Sequence, residues 1–156
     1  MKFNLIIIPL VTIATGMIGS NYAKRGLKTW YPHLTKPDWT PSGSTIGEIW
    51  AFLYVSVAIS MFWYLNIPIF RWWFYVVAIL MLVNAYMNAT WNRIFFVEHN
   101  YNKAIKWMKI LNATTIAAAI IIFPTSHIAA LGLVPYIIWV GIATELTKEI
   151  KKLNKK

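Results

Sequence analysis

Four long stretches of this chain contain no charged residue, and their lengths limit what it can fold into. They cover residues 3–23, 49–70, 72–92 and 110–144. A helix needs about 20 apolar residues to cross the hydrocarbon core of a bilayer. As one helix the fourth stretch, 35 residues, would be about 52 Å long, against a core of about 30 Å. The sequence Pro124-Thr125-Ser126-His127 is a natural break, so we predict five transmembrane helices.

The overall composition disfavours the soluble alternative, an unusually apolar helical bundle. Hydrophobic residues make up 58% of the 156 residues, and a soluble domain of this size cannot bury that much apolar surface. No polar linker divides the chain. We therefore predict an all-α integral membrane bundle forming a single domain over residues 1–156. Its helices are expected at about 3–23, 45–66, 70–97, 101–123 and 128–150, with an ordered aromatic, proline-rich loop between the first two.

The first apolar stretch predicts a retained helix rather than a cleaved signal peptide. It is too long for a typical signal-peptide core, and no A-x-A cleavage site follows it. Small residues recur along one side of this helix, and small residues let helix backbones approach closely in lipid. They are Thr12, Thr15, Gly16, Gly19, Ser20 and Ala23. This stripe predicts close packing, either inside the monomer or across the seam of a homodimer.

The net charge of +10 raises the possibility of nucleic-acid binding, but its distribution favours a membrane protein. With the N-terminus outside, 13 of the 15 Lys and Arg residues fall on the inner side, and only Lys2 and Arg71 fall outside. Cytoplasmic loops of membrane proteins carry such an excess of basic residues. We therefore predict an outer N-terminus, an inner C-terminus and no nucleic-acid partner.

Few residues are candidates for conventional catalysis or metal binding. The chain has no Cys, and His33, His99 and His127 lie in three separate connecting regions, far from the spacing of a site built on one helix. No pair of carboxylates, Ser/His/Asp set or phosphate-binding glycine loop is apparent. A hydrolase or transferase is not expected, and neither a metal nor a required cofactor is predicted.

Polar and aromatic residues lie on one side of three predicted helices. Amides inside the hydrocarbon must find partners, so these sides are expected to face the bundle interior. They comprise Trp50, Tyr54, Ala58 and Met61; Asn84, Asn88, Trp91, Asn92 and Phe95; and Tyr136, Trp139 and Ala143, with Tyr31, Trp39, Pro41 and Ile46 expected to cover them. Such residues inside a bundle more often serve packing than ligand contact, but together they also predict a cavity for a flat, conjugated, largely apolar ligand.

The loop between the first two helices contains the most distinctive motif. Residues 30–41 read WYPHLTKPDWTP, and residues 46–54 read IGEIWAFLY. The three prolines exclude a regular helix, and Ser42 to Thr45 offer N-cap residues for the helix that follows. The motif resembles the translocator protein family, also called tryptophan-rich sensory proteins or peripheral-type benzodiazepine receptors. The resemblance covers nearly the whole chain.

The resemblance implies binding of a tetrapyrrole such as protoporphyrin IX or haem, or of another hydrophobic aromatic molecule. The family's binding positions match Tyr31, Pro41, Ile46, Trp50, Tyr54, Trp91, Asn92, Trp139 and Ala143. A role in tetrapyrrole sensing, transport or regulation follows. The alternatives are light-dependent protoporphyrin degradation, with Trp50 and Trp139 as the catalytic residues, and small-molecule efflux without tetrapyrrole specificity.

The chain also departs from the family pattern in its last helix. Glu145 stands where the family has an aromatic residue, and Thr147 stands where it has Asn. Tyr136 is followed by no basic residue until Lys148, too far for the weak motif linked to sterol binding. Specific cholesterol binding is therefore not predicted. Glu145 is expected either to pair with Lys148 at the membrane boundary or to form a polar exit from the cavity.

Overall fold

The computed structural model describes residues 4–68 and 72–154, and the regular structure in these residues is entirely helical. The helices are α1 (Asn4–Leu27), α2 (Gly43–Leu65), α3 (Trp73–Phe96), α4 (Tyr101–Ile122), α5 (His127–Leu131) and α6 (Val134–Leu153). Five segments are long and apolar enough to cross a membrane, the fifth being α5 and α6 together. The all-α, five-span prediction is confirmed. The starts expected at residues 3 and 70, like Lys2 and Arg71, lie outside the described residues.

Side-chain caps explain where several helices begin. Ser42 precedes α2 and accepts a hydrogen bond from the Thr45 amide at 3.1 Å. Asn100 caps α4 through the Lys103 amide at 3.0 Å. Such caps satisfy amide groups that the first turn of a helix leaves unpaired. The predicted N-cap ahead of the second helix is confirmed.

Two differences from the predicted helix boundaries are the most informative. Helix α1 continues four residues beyond Ala23 and ends at Leu27. Basic residues in its last turn stabilise the helix, because they lie near the negative end of its dipole. The fifth span is not one helix from 128 to 150, because α5 ends at Leu131 and α6 begins at Val134. Pro135 lies in the first turn of α6, where its missing N–H leaves no helical hydrogen bond unmade.

The helices form a closed ring. Helix α1 packs on α3, α3 on α4, α4 on α5 and α6, and α2 closes the ring between those two helices and α1. At Gly19, an added Cβ would lie 2.8 Å from Asn92 Nδ2, and at Gly26 it would overlap the Phe96 carbonyl oxygen. The small-residue stripe therefore supports close packing of α1 on α3 within the monomer. A homodimer seam stays a prediction.

Charge and apolar surface are separated along the bundle. Every charged side chain in the described residues lies toward the end that contains the loop, the α3–α4 turn and the end of α6. We call this the basic end. Large apolar side chains cover the outer surface of the helices, as a hydrocarbon environment requires. They include Leu5, Leu10, Ile13, Met17, Phe52, Ile59, Ile79, Tyr86 and Ile120.

Candidate ligand-binding cavity

A cavity of about 370 Å³ lies between α1, α2, α3 and α6 in the half of the bundle near the basic end. We call it the aromatic cavity, because Trp50, Trp91 and Trp139 all line it together with tyrosine and phenylalanine rings. Eight of the predicted site residues meet there. They are Tyr31, Ile46, Trp50, Tyr54, Trp91, Asn92, Trp139 and Ala143.

Ring contacts hold the aromatic walls in place. Trp50 lies 5.8 Å from Tyr54, four residues further along α2, and meets the Tyr136 ring edge-on at 6.0 Å. Trp91 stacks on Phe95 with centroids 5.1 Å apart and planes 9° apart. Both pairs within one helix follow the i, i+4 spacing that brings side chains onto the same face. The rings are therefore held in position by other rings.

Two tryptophans of the wall have unused hydrogen-bond donors. The Nε1 atoms of Trp91 and Trp139 are buried and have no hydrogen-bond partner in the part of the chain that the structure describes. By contrast, Trp107, which does not line the cavity, donates to the Met87 carbonyl at 3.1 Å. Leaving a buried donor unpaired costs about 1–3 kcal/mol. The walls of the aromatic cavity therefore contain two N–H groups that no protein acceptor uses.

The sequence did not assign a cavity role to α1, yet small residues of this helix form one side of the aromatic cavity. Gly16, Gly19, Ser20 and Ala23 all line it. They belong to the stripe interpreted from sequence as a packing surface. Where the stripe faces α2 instead of α3, the missing side chains leave space. The signal was present in the sequence, but periodicity alone does not distinguish contact from cavity.

The opening of the aromatic cavity lies between α1 and α2. Its exposed lining residues all belong to these two helices, and most are small. They are Ser20, Leu27, Gly43, Gly47 and Ala51. At Gly43 and Gly47 an added Cβ would meet no heavy atom within 4 Å. Leu27 ends α1, and Gly43 and Gly47 lie in the first turns of α2, so the opening lies between these two helices close to the basic end.

The loop covers one end of the cavity and is held by contacts with the α3–α4 turn and with the end of α6. Trp30 stacks on His99 with ring centroids 4.0 Å apart. The Thr35 amide donates to Asn154 Oδ1 at 3.0 Å, and Asn154 Nδ2 donates to the Thr35 carbonyl at 2.7 Å. Tyr31 lines the cavity, and burial raises the pKa of its phenol.

Trp39 and Pro41 are not among the residues that line the aromatic cavity. Trp39 is about half exposed, and its Nε1 donates to Glu149 Oε2 on α6 at 3.0 Å. Its observed role is to attach the loop to α6. Glu149 is 110 residues away in sequence, so no local pattern predicts this contact.

Asn84 and Asn88 also lie outside the aromatic cavity and belong to a buried hydrogen-bond network. Tyr54 donates its hydroxyl to Asn88 Oδ1 at 2.7 Å, and Asn88 Nδ2 donates to the Tyr136 hydroxyl at 2.8 Å. Tyr136 donates to Asn84 Oδ1 at 3.1 Å, and Asn84 Nδ2 donates to Thr115 Oγ1 at 2.8 Å. These amides face the interior and find partners there, as groups at membrane depth must.

Glu145 takes the simpler of its two expected roles. Its side chain is 61% exposed and lies 2.6 Å from Lys148 Nζ, and it does not line the aromatic cavity. It therefore forms a boundary ion pair and not a polar exit. Among the described residues, no three His, Asp or Glu side chains are grouped so that they could hold a metal ion.

The chain has five segments able to span a membrane, and an ordered loop covers one end of the aromatic cavity among them. These features define an integral multi-pass membrane protein with an internal apolar site. The model of the TspO/MBR family matches residues 6–153, and the chain belongs to this family. The family membership predicted from the loop motif is confirmed.

Individual relatives agree with this assignment. The chain is 33% identical over 130 residues to the Tryptophan-rich protein TspO of Bacillus cereus, covering 81% of this chain and 82% of that protein. It is 33% identical over 129 residues to the Uncharacterized membrane protein YtaB of Bacillus subtilis, covering 80% of each. It is 25% identical over 130 residues to the human Translocator protein, covering 83% of this chain and 77% of that protein.

Proposed function

We propose that the protein binds a porphyrin-type tetrapyrrole in the aromatic cavity and acts in the sensing, transport or regulation of such molecules. The observation that carries this proposal is the meeting of Trp50, Trp91 and Trp139 on one cavity of about 370 Å³. That volume falls within the range of about 300–1,000 Å³ usual for small-molecule sites. Aromatic stacking contributes about 0.5–1.5 kcal/mol per ring pair beyond area burial, which favours a flat conjugated ligand.

Two further features support the same ligand class. The opening between α1 and α2 gives a hydrophobic molecule a route from the bilayer. The basic end of the bundle complements the carboxylates that natural porphyrins carry.

A second candidate function is light-dependent degradation of protoporphyrin. The observation that favours it is that Trp50 and Trp139, whose indole rings are easily oxidised, line the same cavity. In this case the two tryptophans would be catalytic residues. Binding and degradation need the same walls, so only an experiment with and without light separates them.

The experiment is an absorbance titration of purified protein with protoporphyrin IX, first in the dark and then under illumination. A shifted spectrum without bleaching supports binding alone. Bleaching with a new product band supports degradation. If neither occurs, the tetrapyrrole proposal is wrong, and efflux of other hydrophobic molecules becomes the favoured alternative.

Trp139→Phe and Trp107→Phe form a matched pair for this titration, because only Trp139 lines the cavity. We expect Trp139→Phe to weaken binding by less than about tenfold, or 1.4 kcal/mol, since the phenyl ring keeps most of the contact area. Trp107→Phe should leave the affinity unchanged. If degradation occurs, its rate should fall much more in Trp139→Phe than the affinity does. An equal loss of affinity in both variants would place the ligand elsewhere.

We also propose that the N-terminus lies outside and the C-terminus inside. The support is the collection of all described charged residues at the basic end, because positively charged segments are retained on the cytoplasmic side.

A further inference from the structure

A second cavity, of about 270 Å³, lies between α1, α2 and α3 in the half of the bundle away from the loop. We call it the aliphatic cavity. The Tyr54–Asn88–Tyr136 hydrogen bonds described above lie where the two cavities approach each other, and Tyr54 lines both of them. Residues that the sequence placed around one pocket are thus divided between two chambers.

The walls of the aliphatic cavity differ chemically from those of the aromatic cavity. None of the described residues that line it is a tryptophan. Most are aliphatic side chains or methionines: Ile7, Ile8, Val11, Val57, Ala58, Met61, Leu65, Ala78, Met81, Leu82 and Ala85. Of its polar residues, Thr12 and Thr15 donate to carbonyl groups within their own helix, and Asn84 and Asn88 are held in the network. Its occupant is therefore expected to be apolar.

The aliphatic cavity is elongated along the helices. On α1 its lining runs from Asn4 to Thr15 and on α2 from Leu65 to Tyr54, a length of about 16 Å at 1.5 Å per residue. The end away from the basic end is closed by a hydrogen bond from Asn4 Nδ2 to the Leu65 carbonyl at 3.0 Å. Its rim includes two exposed aliphatic side chains, Ile7 and Leu82, so the chamber opens toward hydrocarbon.

We propose that the aliphatic cavity binds one acyl chain of a bilayer phospholipid. Its mostly aliphatic lining, with no tryptophan among the described residues, matches an extended acyl chain better than a flat conjugated macrocycle. The surrounding medium at this depth is itself acyl chains, and an empty cavity would leave its lining atoms without dispersion contacts. Met61 and Met81 are flexible and polarizable, so they adapt to a chain of variable conformation. This site is independent of the tetrapyrrole site.

The test is photolabelling of the protein in nanodiscs that contain a phosphatidylcholine with a diazirine in the middle of one acyl chain. The attachment sites are mapped by mass spectrometry as the mole fraction of the probe is increased. We expect labelling of Met61 and Met81, which lie inside the aliphatic cavity, at every mole fraction of the probe. The outward-facing Ile13 and Ile79 should be labelled in proportion to the probe. Labelling confined to outward-facing residues would overturn the proposal.

Cavity-filling variants provide the controls. Ala58→Phe and Ala85→Phe fill the aliphatic cavity from α2 and α3, whereas Ala143→Phe fills only the aromatic cavity. Labelling of Met61 and Met81 should disappear in whichever of the first two folds, judged by size-exclusion elution, and persist in Ala143→Phe. Protoporphyrin binding should show the opposite pattern. Unchanged labelling in the folded Ala58→Phe or Ala85→Phe protein would contradict the acyl-chain site without bearing on the tetrapyrrole site.

Discussion

Three tyrosines inside the bundle differ in the number of hydrogen bonds that their hydroxyl groups make, and this difference makes a quantitative prediction. The Tyr136 hydroxyl makes two bonds, to Asn84 and Asn88, and the residue is 2% exposed. The Tyr54 hydroxyl makes one bond, to Asn88. The Tyr64 hydroxyl has no partner among the described residues, although the residue is fully buried. Replacing each by Phe removes the hydroxyl and keeps the ring.

The expected costs follow from the strength of interhelical hydrogen bonds in membranes, about 0.6 kcal/mol on average and about 1.7 kcal/mol at most. Tyr136→Phe should lower the free energy of unfolding by about 1–3 kcal/mol, and Tyr54→Phe by about half as much. Tyr64→Phe should leave it unchanged or raise it, because an unpaired buried hydroxyl is itself unfavourable.

The assay is reversible unfolding in mixed detergent micelles, followed by circular dichroism as the denaturing detergent is increased. The double variant Tyr54→Phe/Tyr136→Phe should be non-additive, since both hydroxyls bond to Asn88. If Tyr64→Phe is as destabilising as Tyr136→Phe, loss of any buried hydroxyl has the same effect. The buried network would then not be what stabilises the wall between the two cavities.

Three other predictions are independent of this network. In this Cys-free chain, an impermeant thiol reagent applied to intact cells should label His127→Cys but not Lys152→Cys, and the reverse pattern would refute the proposed orientation. Gly16→Ala should raise the unfolding temperature, since its Cβ would make only ordinary contacts from 3.5 Å and Ala favours helix by about 1 kcal/mol. Gly26→Ala should lower it, since its Cβ would overlap a backbone carbonyl; equal effects would contradict the close packing of α1 on α3. Glu145→Gln should change porphyrin affinity by less than about twofold, because exposed ion pairs contribute about 0–1 kcal/mol and this one lies outside the cavity; a larger loss would restore the polar-exit interpretation.

The number of spans and most of the aromatic wall were predictable from the sequence. Uncharged length sets the spans, and helical periodicity brings Trp50 and Tyr54 to one face. The same periodicity gave no indication that the pocket is divided. The polar face from Asn84 to Asn92 extends about 12 Å along α3, long enough to pass two chambers. The place where the pocket is divided depends on the hydroxyl groups of Tyr54 on α2 and Tyr136 on α6.

Other features required contacts between distant segments. From the sequence, Trp39 was expected to cover the cavity, but its observed position is set by the hydrogen bond to Glu149 on α6. The break ahead of α6 was missed because the nearby residues are all apolar, so hydropathy shows no interruption. Gly132 and Pro135 were the available signals for that break, and an added Cβ at Gly132 would overlap Ser60 Oγ on α2. Local sequence indicates a bend of this kind only when its packing partner is known.

The most direct test of the proposed function is the position of a bound porphyrin. In crystals grown with zinc protoporphyrin, anomalous scattering locates the zinc atom without reference to the protein. We predict one peak inside the aromatic cavity, among Trp50, Trp91 and Trp139. A fully occupied peak in the aliphatic cavity or on the lipid-facing surface, with none in the aromatic cavity, would contradict the proposed binding site.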